Sequence, residues 1–191
     1  KDNCLMPIPL GVLAVAGAGG GGLTATYELI STSSPSDNTS SVTFSSLDTT
    51  TYKHFQIRFL VRAQSGSGGL VFRMNGNTGA NYFNHNLRAN GSSIASGNNL
   101  SRTSLYLGNL EQGSSTGNFT IGVLDILDAS STNKIRTIRC FYGTPDSTGN
   151  EVGLISGAFN STAALTSFTF LFESSNTFNS ATRISLYGIR G

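Results

Sequence analysis

Tryptophan is absent from this 191-residue chain, cysteine and histidine occur twice each, and charged residues fill only 12% of it. Each shortage excludes something. Two cysteines, Cys4 and Cys140, do not make a disulfide framework or a zinc site. One lies in the N-terminal segment and the other inside a strand pattern, so a buried thiol and a free one are expected rather than a bridge. Twelve basic and ten acidic residues leave a net charge of +2. They are spread thinly, without the clustered basic footprint of a nucleic-acid binder. Arg58, Arg62 and Arg73 come nearest to a patch, sharing one face of adjacent strands, and are expected to be a solvated strand face. Glu and Lys are scarce and Ala gathers near the N-terminus, which removes most of the material for helices.

Ser, Thr, Asn and Gly fill the space that charge leaves. Uncharged polar surface with many short turns is how β-sandwiches and barrels of extracellular or viral particles often read, and cytosolic enzymes seldom do. From Tyr27 onward the pattern is repeated β: Tyr27–Ser31, Val42–Phe44, His54–Arg62, Leu70–Met74, Ser104–Leu107, Phe119–Leu127, Ile135–Tyr142, Gly153–Phe159, Leu165–Phe172 and Ile184–Ile189. In His54–Arg62, the residues Phe55, Ile57, Phe59 and Val61 alternate with polar neighbours, as a half-buried strand requires. Leu60 breaks the polar side and marks a covered stretch of that face. Phe119–Leu127 is apolar on both faces and is expected in the middle of a sheet. Turn signals separate the runs, among them Asn75-Gly76, Asn90-Gly91 and the stretch from Gly143 to Gly149. The run Ser31–Ser41 reads as a long loop. About ten short strands without a helix of two turns predict an all-β fold: a jelly-roll-like, two-sheet antiparallel β-sandwich over 27–191. Its core must come from the twelve phenylalanines with Leu, Ile and Val.

Residues 1–26 read as an extended apolar, glycine-rich arm. Its apolar positions are Leu5, Met6, Pro7, Ile8, Pro9, Leu10, Val12, Leu13 and Val15, and it closes on Gly19 to Gly22. The apolar part is too short and too proline-broken to span a membrane, which needs about 20 apolar residues. A signal peptide competes, since Lys1 precedes an apolar run ending in Ala16-Gly17-Ala18, but Pro7 and Pro9 sit where its hydrophobic stretch would prefer helix. Glycine adds conformational entropy that local contacts do little to offset, so the arm calls for a protein surface to hold it. That surface is expected on other subunits, making this an assembly arm.

A search for catalytic chemistry finds none. The arm glycines lack the closing Lys-Ser or Lys-Thr of a phosphate-binding loop. His54 is on the polar side of a strand. Asp125 and Asp128 are close in sequence, but three residues apart in a strand they project to opposite faces, and Asp128 is expected to cap the turn Ala129–Asn133. Calcium binding by Asp128, Asn133 and Asp146 has no support in the pattern. The chain is therefore expected to be no enzyme, with no cofactor, no metal and no nucleic-acid partner. Weak candidates for a ligand site are Tyr82, His85 and Tyr106, in or beside loop-rich segments, where rings could stack on a pyranose of a host surface glycan.

The run Phe72-Arg73-Met74-Asn75-Gly76-Asn77-Thr78-Gly79-Ala80-Asn81-Tyr82, followed by His85, Leu87 and Asn90-Gly91-Ser92-Ser93, resembles a segment of small β-rich virion proteins of tailed bacteriophages. Val123-Leu124-Asp125-Ile126-Leu127-Asp128 leading into Ser130-Ser131-Thr132-Asn133-Lys134 resembles a second such segment, and Leu186-Tyr187-Gly188-Ile189 a third. An opening similar to Met6-Pro7-Ile8-Pro9-Leu10-Gly11-Val12-Leu13-Ala14 also occurs there. The resemblance implies a jelly-roll-like appendage on a virus particle: a tail fibre, a head fibre or a capsid decoration. It supplies no catalytic residues. The expectation is a virion structural protein, homotrimeric, bound through its arm to capsid or tail proteins. A lectin-like tail-fibre tip that recognises host glycan is the alternative.

Overall fold

Period-two alternation sets the architecture of the computed structural model, which describes residues 25–65, 68–110, 117–144 and 151–191, with only the backbone of 109 and 110. Twelve strands follow one another: β1 (Tyr27–Ser33), β2 (Ser41–Ser45), β3 (His54–Val61), β4 (Gly68–Met74), β5 (Tyr82–Ala89), β6 (Ile94–Arg102), β7 (Leu105–Leu110), β8 (Thr120–Ile126), β9 (Arg136–Thr144), β10 (Glu151–Phe159), β11 (Ser167–Phe172) and β12 (Arg183–Ile189). No helix occurs among the described residues. The strands form an antiparallel two-sheet sandwich. One sheet has eight strands in the order β1-β12-β3-β8-β9-β10-β5-β6, and the other four in the order β2-β11-β4-β7. The chain crosses repeatedly between them, since β1 and β3 lie in the large sheet while β2 and β4 lie in the small one.

Phenylalanine fills the space between the sheets. On β11 the alternation puts Phe168, Phe170 and Phe172 on the inner face, each at most 5% exposed. Phe168 meets Phe55 of β3 edge-on at 5.5 Å and Phe72 of β4 at 5.4 Å. Phe170 meets Phe59 of β3 at 6.2 Å and Phe72 at 4.9 Å. These are the centroid separations and tilts that the ring quadrupoles favour. Glycines on the large sheet make room for rings. A Cβ on Gly122 would lie 2.2 Å from the ring of Phe59, and one on Gly153 would lie 2.2 Å from that of Tyr142.

Arg136, on the inner face of β9, is fully buried. Its guanidinium donates to backbone carbonyls: Nη1 to Lys134 at 2.9 Å, and Nη2 to Ala163 at 2.9 Å, to Thr162 at 3.3 Å and to Ser131. One side chain thereby joins the β8–β9 loop to the β10–β11 loop and supplies donors to carbonyls that would otherwise be buried unpaired. Burial holds its pKa below the ordinary value.

Two strands exceed the sequence expectation of about ten. They are β5 and β6, a hairpin around Asn90-Gly91. Asn84 points inward at 1% exposure, so after Tyr82 the buried phase of β5 carries no apolar signal. On the edge strand β6 nearly every residue is exposed, which leaves no alternation to read. At Asn75-Gly76 the turn forms as expected, with φ of 53° and 61° and Asn77 N–H donating to Met74 C=O at 3.0 Å. This double positive φ is what a type I′ turn needs. The arginine expectation is corrected: Arg58 is on β3 of the large sheet and Arg73 on β4 of the small one, so the three share no face. Cys140 is a buried free thiol, its pKa pushed up by burial. Cys4 and the apolar arm positions lie outside the described residues.

Replacing Phe168 by alanine removes a ring that bridges both sheets. Denaturant unfolding should show a loss of about 4 kcal/mol.

Candidate functional site

The outer face of the eight-stranded sheet divides into two unlike halves. Across its middle runs a polar row: Gln56 of β3, Asp125 of β8, Arg139 of β9, Ser156 of β10, His85 of β5 and Asn98 of β6, each directly opposite the next. Gln56 Nε2 donates to Asp125 Oδ1 at 2.9 Å and Arg139 Nη2 to Asp125 Oδ2 at 3.0 Å. Tyr27 of β1 donates its hydroxyl to Gln56 Oε1 at 2.8 Å. Its ring stacks on Tyr187 of β12 at 4.8 Å. The Arg58 guanidinium lies 5.9 Å from one of these rings and 5.5 Å from the other. Partial burial raises the Tyr27 pKa, and nearby Arg58 opposes the shift.

Two rows further along the strands are apolar. The first runs Val123, Phe141, Leu154, Leu87 across β8, β9, β10 and β5. The second runs Leu60, Ile121, Gly143, Val152, Ala89, Ile94 from β3 to β6. Their large side chains stand in solvent: Phe141 is 58% exposed, Ile121 54%, Leu87 51%, Leu154 and Val152 45%, and Ile94 79%. From β8 to β6 neither row contains an ionisable group, and at the other end each meets an arginine, Arg58 opposite Val123 and Arg183 opposite Leu60. Five strand spacings make the patch roughly 24 Å wide, and its exposed apolar area is on the order of 500 Å², at the upper end of the largest patch on a typical monomer.

Sequence reasoning did not assemble this surface. Its traces were the apolar outer phase of Phe119–Leu127 and the intruding Leu60. Those two positions pair with each other in the sheet, Leu60 opposite Ile121. The covered stretch expected at Leu60 is instead partly open, with Leu60 37% exposed.

The three residues considered for glycan stacking are not brought together. Tyr82 is fully buried and stacks on Phe159 at 4.9 Å. Its hydroxyl accepts from Met74 N–H at 3.0 Å and lies 3.2 Å from the Met74 and Asn77 carbonyls. That ring cannot meet a sugar, because the alternation of β5 turns it into the core. Tyr106 is half-buried against the same core, and burial pushes its pKa up. His85 alone is exposed, in the polar row of the opposite sheet face. Asp128 sits at the β8–β9 turn with φ of 51°. Its Oδ2 accepts from Lys134 Nζ at 2.7 Å, and this hydrogen bond lowers its pKa. Asp146, the other acid of the calcium alternative, lies outside the described residues.

No family model, curated protein or solved structure matches the chain. Its surface must therefore be interpreted from its own geometry.

Removing the Tyr82 hydroxyl in Tyr82→Phe leaves Met74 N–H without its partner. Chemical denaturation should show a loss of about 1–3 kcal/mol, the effect of an unsatisfied buried donor.

Proposed function

We propose that this chain is a non-enzymatic structural protein of a tailed-phage particle. Its N-terminal arm anchors it to capsid or tail proteins, and its sandwich stands on the particle surface as a capsid decoration or short fibre, in a homotrimer. The observation that supports this reading is the apolar half of the large sheet's outer face. An exposed apolar patch at the upper end of the range for a monomer supports a role in contact with other protein. Composition agrees, since Ser, Thr, Asn and Gly outnumber charge over the whole sequence. The resemblance of the Phe72–Tyr82 segment to virion proteins supplies the kind of particle.

The rival function, a lectin-like receptor-binding tip, would rest on the polar row around His85 and would need a ring other than that of Tyr82. The apolar rows offer a sugar no hydrogen-bonding side chain.

Deletion of residues 1–22 tests the anchor. The truncated protein should keep its β-rich circular dichroism and its unfolding midpoint, because the first strand of the described residues begins at Tyr27, and it should no longer be recovered with purified particles. A truncated protein that unfolds would show that the arm belongs to the fold.

A further inference from the structure

We infer that the apolar half of the outer face of the eight-stranded sheet is the surface on which a second copy of this chain docks. The inference deepens the homo-oligomeric part of the function proposed above and depends on neither the arm nor the particle.

Size is the first argument. A stable interface covers about 800 Å² on each partner, with an apolar core inside a polar rim. The two apolar rows supply the core of such an area, and the Gln56–Asp125–Arg139 row beside them supplies a rim. Composition is the second. Phe141 lies in the middle of its row, between Val123 and Leu154, and is 58% exposed. A central aromatic flanked across the strands by aliphatic side chains suits an interface anchor.

Charge lies at one margin of the patch. From β8 to β6 the apolar rows carry no ionisable group, while Arg58 and Arg183 stand at their other end, opposite Val123 and Leu60, and in the adjoining row Arg139 pairs with Asp125 at 3.0 Å. Two copies can therefore meet over the β8–β6 part of the rows without burying a like-charge pair. The paired row also favours register, because each copy presents both an acceptor and a donor next to its apolar half. Leu29 on β1 is equally exposed at 58% but lies outside the two rows, beside Tyr187. It provides a control on the same sheet face.

Sedimentation velocity on the purified full-length chain, over a micromolar concentration series, tests the inference. A reversible homo-oligomer is expected. Phe141→Asp and, separately, the milder Leu154→Ser should weaken self-association at least about thirtyfold, with circular dichroism and unfolding midpoint retained. Leu29→Ser should leave association unchanged. A wild-type chain that stays monomeric throughout overturns the inference, as does an oligomer that both face variants leave intact. An oligomer abolished by deleting residues 1–22 but indifferent to the face variants assigns the contact to the arm and also overturns it. A chain that self-associates through Phe141 yet is never recovered with particles keeps this interface and loses the particle function, so the two failures are distinct.

Discussion

The packing of Phe168, Phe170 and Phe172 between the sheets is the contact through which much of this structure is organised. A four-stranded sheet facing an eight-stranded one must hold its position without a tryptophan anywhere in the chain. Strand β11 pairs with both β2 and β4, so its inner side chains fix the middle of the small sheet. Phe168 and Phe170 touch rings on β3 and on β4, and Phe172 packs on Phe178 at 4.8 Å. Phe178 in turn bridges to Thr39, just before β2, and to Ala63, just after β3. Through these few rings the two sheets and the loops at one end become a single cooperative unit.

Stacking decides what each sheet face can do. The inner face of the large sheet is closed by β11 and β4 over β3, and by β7 further along, where a Cβ on Gly157 of β10 would lie 2.4 Å from Leu105. Arg136 and Tyr142 fill the remaining large inner volumes, Tyr142 with its hydroxyl donating to Glu151 at 2.5 Å and Glu151 pairing with Arg88 at 3.3 Å. These polar groups are paired within the fold: Arg136 holds backbone carbonyls, and Tyr142 and Arg88 hold Glu151. The inner face holds the protein together, and what remains for partners is the outer face.

Much of the fold was legible because alternation is legible. In β3 and β11 the apolar phase is unbroken, and those strands and their buried faces follow from the residues alone. The hairpin β5–β6 was not legible, because Asn84 and Asn86 occupy inward positions and β6 buries almost nothing. Tyr82 was misplaced with it: once β5 is a strand, its first residue turns inward and the ring joins the core. The outer apolar rows were hidden for a different reason. Ile121, Phe141, Val152 and Leu87 belong to four separate strands, and only the register of the sheet brings them side by side. Single strands show a both-faces apolar phase, as Phe119–Leu127 does, but not whether neighbouring strands continue it.

That register also explains why the two halves of the outer face are so different. In β8 and β9 the outer phase changes character along the strand, from Asp125 to Val123 and Ile121, and from Arg139 to Phe141. Because the strands are antiparallel and in register, the changes align: Asp125 lies opposite Arg139 and Val123 opposite Phe141. A shift of one residue would turn each of these side chains to the other face and scatter both the ion pair and the apolar row. The same core contacts that set the pairing of β3 with β8 thus also assemble the surface, although none of them touches it. A one-residue slip of β8 would also turn the buried Leu124 and Ile126 out of the core, so the packing beneath the sheet holds the outer face in register.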